Sequence, residues 1–289
     1  MTSVTAEASN SGSWTLEGAL AELRTPVGLV LMSTAAIGLL MAAHWLALAP
    51  IMVVFYFASV LMPTLVRHSG TWFAIAAVWA VAVVVQRNAM EDHVYLYLAW
   101  LVAVAVSLLD RDSFIAESGR NGRYLIATVF GAATIWKLTS PSFLSGSAMW
   151  TFGLLDDRLH PLMNLAGISS ASLAEARPQV AAAGSAEGVV FDIGLSGYST
   201  AALLAVSLGT IAIEALVAIT HAVPDTNRLA KLRAPVLVTF GIVTYAIVPV
   251  LPFAVLLALI GSVIARGDRR TVVALAFMVA VTTVRFLTL

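Results

Sequence analysis

The sequence predicts an all-α, polytopic helical membrane protein of about eight transmembrane helices, one of them broken or re-entrant. Three observations carry this. Of 289 residues, 60% are hydrophobic and only 11% charged, against about 45–50% and about 25% in soluble domains. The apolar residues gather into runs near the ~20 residues that a helix needs to cross a bilayer. The basic residues, finally, fall unevenly on alternating connections. The 16 basic and 16 acidic residues balance, which leaves no basic face for nucleic acid. The chain has no cysteine, which excludes disulfides, thiolate metal sites and a dithiol relay.

Residues 1–26 form a polar N-terminal segment carrying Glu7, Glu17, Glu22 and Arg24. The run from Val27 to about Leu48 is long enough to span and lacks the basic start of a signal peptide, so it reads as a retained helix. Further apolar stretches follow at Ile51–Val66, Trp72–Val85, His93–Leu109, Tyr124–Lys137 and Thr200–His221. The stretch Ala234–Ala265, at about 32 residues, is too long for one plain crossing. Pro249 and Pro252 sit at its middle and break it, because proline removes a backbone donor. It is either one kinked helix or two half-helices returning to the same side. Thr271–Leu289 completes the set, and residues 27–289 form a single helical membrane domain.

Alternating sides from the N-terminus, one face receives Arg24, Arg67, Arg111, Arg120, Arg123, Arg228, Lys231 and Arg233. The other receives Arg87, Arg158 and Arg177. Basic residues collect on the cytoplasmic side, which predicts a cell-membrane protein with a cytoplasmic N-terminus. Residues 139–199 are then an extracytoplasmic loop. Its first part, Phe143 to Met163, has the aromatic and leucine content of a short interfacial helix. Its Ala/Gly/Ser-rich middle, Ile168–Gly188, reads as flexible. The segment Arg266–Arg270 falls on the cytoplasmic side if Ala234–Ala265 re-enters.

Ionisable groups within membrane segments are costly and therefore the first functional candidates. Lys137 lies about 13 residues into the helix that starts near Tyr124, roughly 20 Å along it. An amine taken out of water can act as a base or nucleophile. It can equally snorkel to the outer headgroups while Trp136 anchors the interface. His93 opens the preceding helix on the same outer side, after Glu91 and Asp92. Those acids would orient and charge it, or simply favour the helix start. Glu214, about 14 residues into the next span and roughly 21 Å deep, falls in the inner half. There it serves either a functional role or a structural hydrogen bond, and it reaches Lys137 only if helices tilt or break. Arg285 is an anchor or the partner of an acid. No histidine pair has metal-ligand spacing, so no metal is expected.

The segments Tyr124-Leu125-Ile126-Ala127, Trp136-Lys137-Leu138 and Phe143-Leu144-Ser145-Gly146 resemble the lysine motif of the vitamin K-dependent gamma-carboxylase-like (HTTM) membrane family. Asp92-His93-Val94-Tyr95-Leu96-Tyr97 is similar to its histidine motif, and Glu214 to an acidic position in the helix after the lysine loop. The order and spacing agree over roughly residues 70–260. The resemblance implies Lys137 as the base and His93 as its partner, with Glu214, Asp92, Glu91 and Trp136 in support. It implies carboxylase or oxygenase-like chemistry on a reduced quinone or another lipophilic substrate at the outer leaflet. Without cysteines, another protein must reduce the quinone. The rival readings are a membrane scaffold or maturation partner for another membrane or secreted protein, and a small transporter hinted at by Pro249 and Pro252.

Overall fold

A computed structural model describes residues 16–43, 45, 47–86, 93–183 and 195–288. Among these every regular element is helical and none is a strand. The chain opens with α1 (Leu16–Leu23), α2 (Pro26–Ala42), α3 (Ala49–Leu61), α4 (Pro63–Val66), α5 (Ser69–Val85) and α6 (His93–Ser107). The long α7 (Phe114–Thr139) leads into four short helices, α8 (Pro141–Leu144), α9 (Ser147–Leu155), α10 (His160–Leu165) and α11 (Ser170–Ala183). Then come α12 (Gly197–Ala222), α13 (Arg233–Ile247), α14 (Leu251–Ile264) and α15 (Arg269–Leu287).

Three helices are long and apolar enough to cross a membrane: α12, α13 with the 3-10 turn before it (Arg228–Ile247), and α15. Five more apolar helices, α2, α3, α5, α6 and α14, are shorter. The predicted run from Val27 to Leu48 is helical only to Ala42, and the chain turns before Ala49. Thr25 starts α2 by accepting from the Gly28 amide at 3.0 Å, with Pro26 in the first turn where its missing N–H costs nothing.

The first helices pack through aromatic groups that need polar partners in an apolar interior. Tyr97 on α6 donates to the Thr34 carbonyl of α2 at 3.0 Å, and the Trp100 indole donates to the Thr34 hydroxyl at 3.1 Å. Gly38 makes this approach possible: a Cβ there would lie 2.2 Å from the Tyr97 hydroxyl oxygen.

The broken segment resolves as two antiparallel helices. Val248 (ψ 88°) and Val250 (ψ 83°) leave the helical region and flank Pro249. The start of α13 (Arg233, Ala234, Leu237) and the end of α14 (Gly261, Ile264, Ala265) line one and the same cavity, so the chain returns to the level where it began. The break leaves carbonyls at the end of α13 without helical partners. Arg285, near the end of α15, donates to one of them, the Ala246 carbonyl, at 3.0 Å. Neither reading of Arg285 foresaw this backbone cap.

One end of the bundle collects basic groups. Arg67 pairs with Glu22 at 2.6 Å, Arg123 reaches Asp225 at 2.9 Å, and Arg233 pairs with the same carboxylate. Pro26, Ile115 and Arg266 share a groove at this end. The predicted flexible stretch of the loop is helical as far as Ala183, because Leu173 is fully buried in it and the Arg177 guanidinium donates to the Leu154 carbonyl at 2.8 Å. Residues 184–188 of that stretch lie outside the described residues.

Two outcomes are expected. Gly38→Ala should lower the thermal midpoint in detergent, with an overpacking cost of about 1–3 kcal/mol; an unchanged midpoint would show that α2 and α6 pack more loosely. A cysteine placed at Gly267 should stay unlabelled by an impermeant maleimide added to intact cells, and labelling there would put the basic end outside.

Candidate functional site

The longest helix pairing in the fold, α7 against α12, carries the candidate site. Lys137 Nζ lies 2.7 Å from Glu214 Oε1 and 2.5 Å from Oε2, so one ammonium donates to both carboxylate oxygens. Both side chains are nearly buried, with 12% and 10% of their surfaces exposed. The Lys137 ammonium also sits 5.5 Å from the Phe143 ring centroid, a cation–π contact.

The predicted depths kept these two residues apart, and the structure corrects them. Helix α7 starts at Phe114, ten residues before Tyr124, so Lys137 lies about 35 Å along it, in its last turn. Helix α12 starts at Gly197, so Glu214 lies about 26 Å along it. The helices run antiparallel, and α12 overtops the end of α7 by several turns. Glu214 is therefore level with Lys137.

The loop helices cover that overhang. Phe143, Met149, Trp150, Leu154, Met163 and Leu173 pack with Leu203 and Ile211 of α12 in an apolar cluster separate from the main core. Two local devices hold the chain against α12. Ser207 donates to the Phe143 carbonyl at 2.5 Å. Gly146, at φ 81°, passes so close that a Cβ would lie 2.7 Å from the Leu204 amide nitrogen. The spacing from Lys137 through Phe143 to Gly146 thus has a local reason: the aromatic meets the ammonium, and the glycine lets the loop close.

Beside Glu214 the covering loop borders an open-sided apolar cavity of about 390 Å³. Met149 and Phe152 of α9, Leu162 of α10, and Phe240 and Thr244 of α13 line it together with Glu214. Its walls suit a hydrophobic ring or chain, and Glu214 supplies the ionisable group on its lining.

The structure places His93 elsewhere. Its imidazole stacks on Phe253 of α14, ring centroids 5.9 Å apart, and it lines a different cavity of about 460 Å³ with Trp45, Gln86, Arg158, Pro249 and Pro252. The two cavities share no lining residue. Val248 lines one and Pro249 the other, so the non-helical break between α13 and α14 is the partition between them. A run of rings, His93 to Phe253 to Tyr245 to Phe240, joins the two through successive centroid distances of 5.9, 6.1 and 6.1 Å. Trp136 is 58% exposed and meets Phe143 edge-on at 5.3 Å. Glu91 and Asp92 lie outside the described residues. Among the described residues no group of three His, Asp or Glu side chains converges as a metal site would require.

Sequence reasoning missed a second buried polar cluster at the opposite end of α12. His221 is 1% exposed, with Nδ1 2.8 Å from the Val217 carbonyl oxygen. Arg233 donates to the Thr220 carbonyl at 2.9 Å and pairs with Asp225. The acid in the short polar turn Pro224–Asn227 was the available signal. No known protein family matches the chain, no curated protein is similar to it, and no solved structure matches it.

In the covering loop, Asp156 accepts from Arg158 Nε at 2.8 Å and from Arg158 Nη2 at 2.7 Å, while Asp157 pairs with Arg177 and lies 3.2 Å from His160 Nε2. The hydrogen bonds from Arg158 and Arg177 hold the two carboxyls below their ordinary value. Carboxyls lowered by folding stabilise the fold above their unfolded value, and the contribution disappears as pH falls through the folded one. The thermal midpoint should therefore drop between about pH 5 and pH 3, and drop less in a D156N/D157N double variant. Equal slopes would mean that these pairs contribute nothing. At the ion pair, Lys137→Met or Glu214→Leu alone strands a buried charge and should cost about 3–5 kcal/mol, while the double variant should recover most of it. A double variant no more stable than the singles would show that the pair is not coupled.

Proposed function

We propose that the protein is a multi-pass membrane protein, of about eight crossings with a cytoplasmic N-terminus, whose Lys137–Glu214 pair accepts a proton from a lipophilic substrate. The observation that carries the reading is the juxtaposition of a nearly buried ammonium–carboxylate pair with an apolar cavity of about 390 Å³ on whose wall Glu214 lies. The walls formed by Met149, Phe152 and Phe240 fit an aromatic ring with an apolar tail, as in a quinol. The resemblance of the Trp136–Leu138, Phe143–Gly146 and Asp92–Tyr97 segments to the gamma-carboxylase-like family favours the same substrate class.

The chemistry asked of the pair is modest. The O–H bond of a weakly acidic hydroxyl breaks, and its proton passes to the pair, leaving an oxyanion. Lys137 is the base when its own proton is absent, and Glu214 then stabilises the ammonium that forms. The near burial of the pair beside apolar walls strengthens both the pair and the attraction of Lys137 for the oxyanion. His93, in the neighbouring cavity, acts on this site only through Phe253 and Tyr245 or on a second reactant.

A second reading has its own observation. Both carboxylate oxygens of Glu214 are taken by Lys137, as they would be in a clamp that only ties α7 to α12. The protein would then be a scaffold or assembly partner for another membrane or secreted protein. One series separates the two. In detergent, the wild-type protein is expected to bind a menaquinol analogue and to turn it over in air. Lys137→Ala should abolish turnover, and the folded K137M/E214L double variant should stay inactive. Full turnover in either variant would sink the base assignment, and inactive but folded wild-type protein with a co-purifying partner would favour the scaffold.

A further inference from the structure

We infer that the groove between α2, α14 and α15 is a binding site for one anionic phospholipid, with an acyl chain in the groove and the phosphate on the basic turn that follows α14. The groove holds about 680 Å³, within the range of sites that take small ligands. Leu29 and Val30 of α2, Val255 and Leu259 of α14, and Leu275 of α15 make its walls almost wholly apolar. From Val255 to Val263 it follows α14 for about 12 Å. Leu29 is 56% exposed, so the groove is open along its side rather than sealed in the core.

Charge complementarity selects the occupant. Arg266 lines the mouth of the groove, and the turn Arg266-Gly267-Asp268-Arg269-Arg270 carries three cations and one anion. That anion, Asp268, caps α15, accepting from the Thr271 amide at 3.0 Å and from its hydroxyl at 2.6 Å, and its attraction to Arg270 still leaves the turn with an excess of two cations (three minus one). The three arginines are exposed, as is Arg24, which lies two positions before Pro26 at the same mouth. The turn is shaped by two left-handed residues, Arg266 at φ 48° and Gly267 at φ 82°, which reverse the chain directly over the groove. A mostly apolar slot, closed at one end by a turn with a net excess of guanidinium charge, fits a molecule that is a chain at one end and a phosphate at the other. Basic pockets between membrane helices recognise anionic lipid headgroups on this principle. A neutral lipid would fill the slot but leave the arginines unmatched, and a soluble phosphate would meet the arginines but leave the slot open.

The test uses the full chain in detergent, titrated with phosphatidylglycerol or phosphatidylcholine of identical chains and followed by native mass spectrometry and by the thermal midpoint. The wild-type protein should bind phosphatidylglycerol at least tenfold more tightly. Replacing the exposed arginines (Arg266→Asn, which tolerates the left-handed backbone, with Arg269→Gln and Arg270→Gln) should remove most of that preference, at about fivefold per arginine. Ala258→Trp, which fills the slot and leaves the turn intact, should weaken both lipids. Equal affinity for the two lipids in the wild-type protein would overturn the inference. So would an undiminished preference in the arginine variant, unchanged binding in Ala258→Trp, or glycerol phosphate matching the intact lipid.

Discussion

The bidentate ion pair between Lys137 and Glu214 constrains the half of the molecule opposite its basic end. A lone charge at that depth is costly, whereas a paired and hydrogen-bonded one is tolerated. The pair therefore fixes the level at which α12 meets α7. Since Lys137 lies in the last turn of α7 and Glu214 lies well inside α12, the first turns of α12 must project beyond their partner. Their apolar face needs a cover, and α8 to α11 provide it. The cavity beside Glu214 is the space left between that cover and α13. Site, overhang and lid follow from one contact.

The break between α13 and α14 has an equally simple origin and a wider effect. Pro249 and Pro252 interrupt the helical ladder, and the valines beside Pro249 leave the helical region. A backbone without helical hydrogen bonds needs substitutes inside a membrane, and Arg285 supplies one at Ala246. The result is a thin partition with a different cavity on each side, one apolar and bordered by Glu214, the other more polar and bordered by His93 and Arg158. His93 and Glu214 are thus kept in separate compartments, joined through aromatic rings. The same break sends α14 back to the basic end, where its last residues and α15 shape the lipid groove. The chain therefore has two kinds of apolar recess: one beside a neutralised charge pair, one beside a turn with an excess of arginines.

The amino-acid sequence by itself determined the all-helical class, the membrane setting and the charges worth following, because bilayer physics acts on composition and run length. It also marked the proline break and the residues Lys137, Glu214 and His93, since rare ionisable groups stand out in apolar runs. Three helices are long and apolar enough to cross. Only the tertiary structure decided who meets whom. Depth counted from apolar run boundaries misplaced Glu214, because α7 continues ten residues into polar sequence, held by the pairs at Arg120 and Arg123 that run length does not register. The loop looked flexible in its middle because Leu173 alone, among small residues, gives no periodic signal, yet it is buried by neighbours far along the chain. His93 went to Phe253 rather than to Lys137 because helix order brings ends to a common face but says nothing about which side of the bundle each helix turns toward. Run length sets which segments leave water, and the matching of buried charge and shape across helices sets their register.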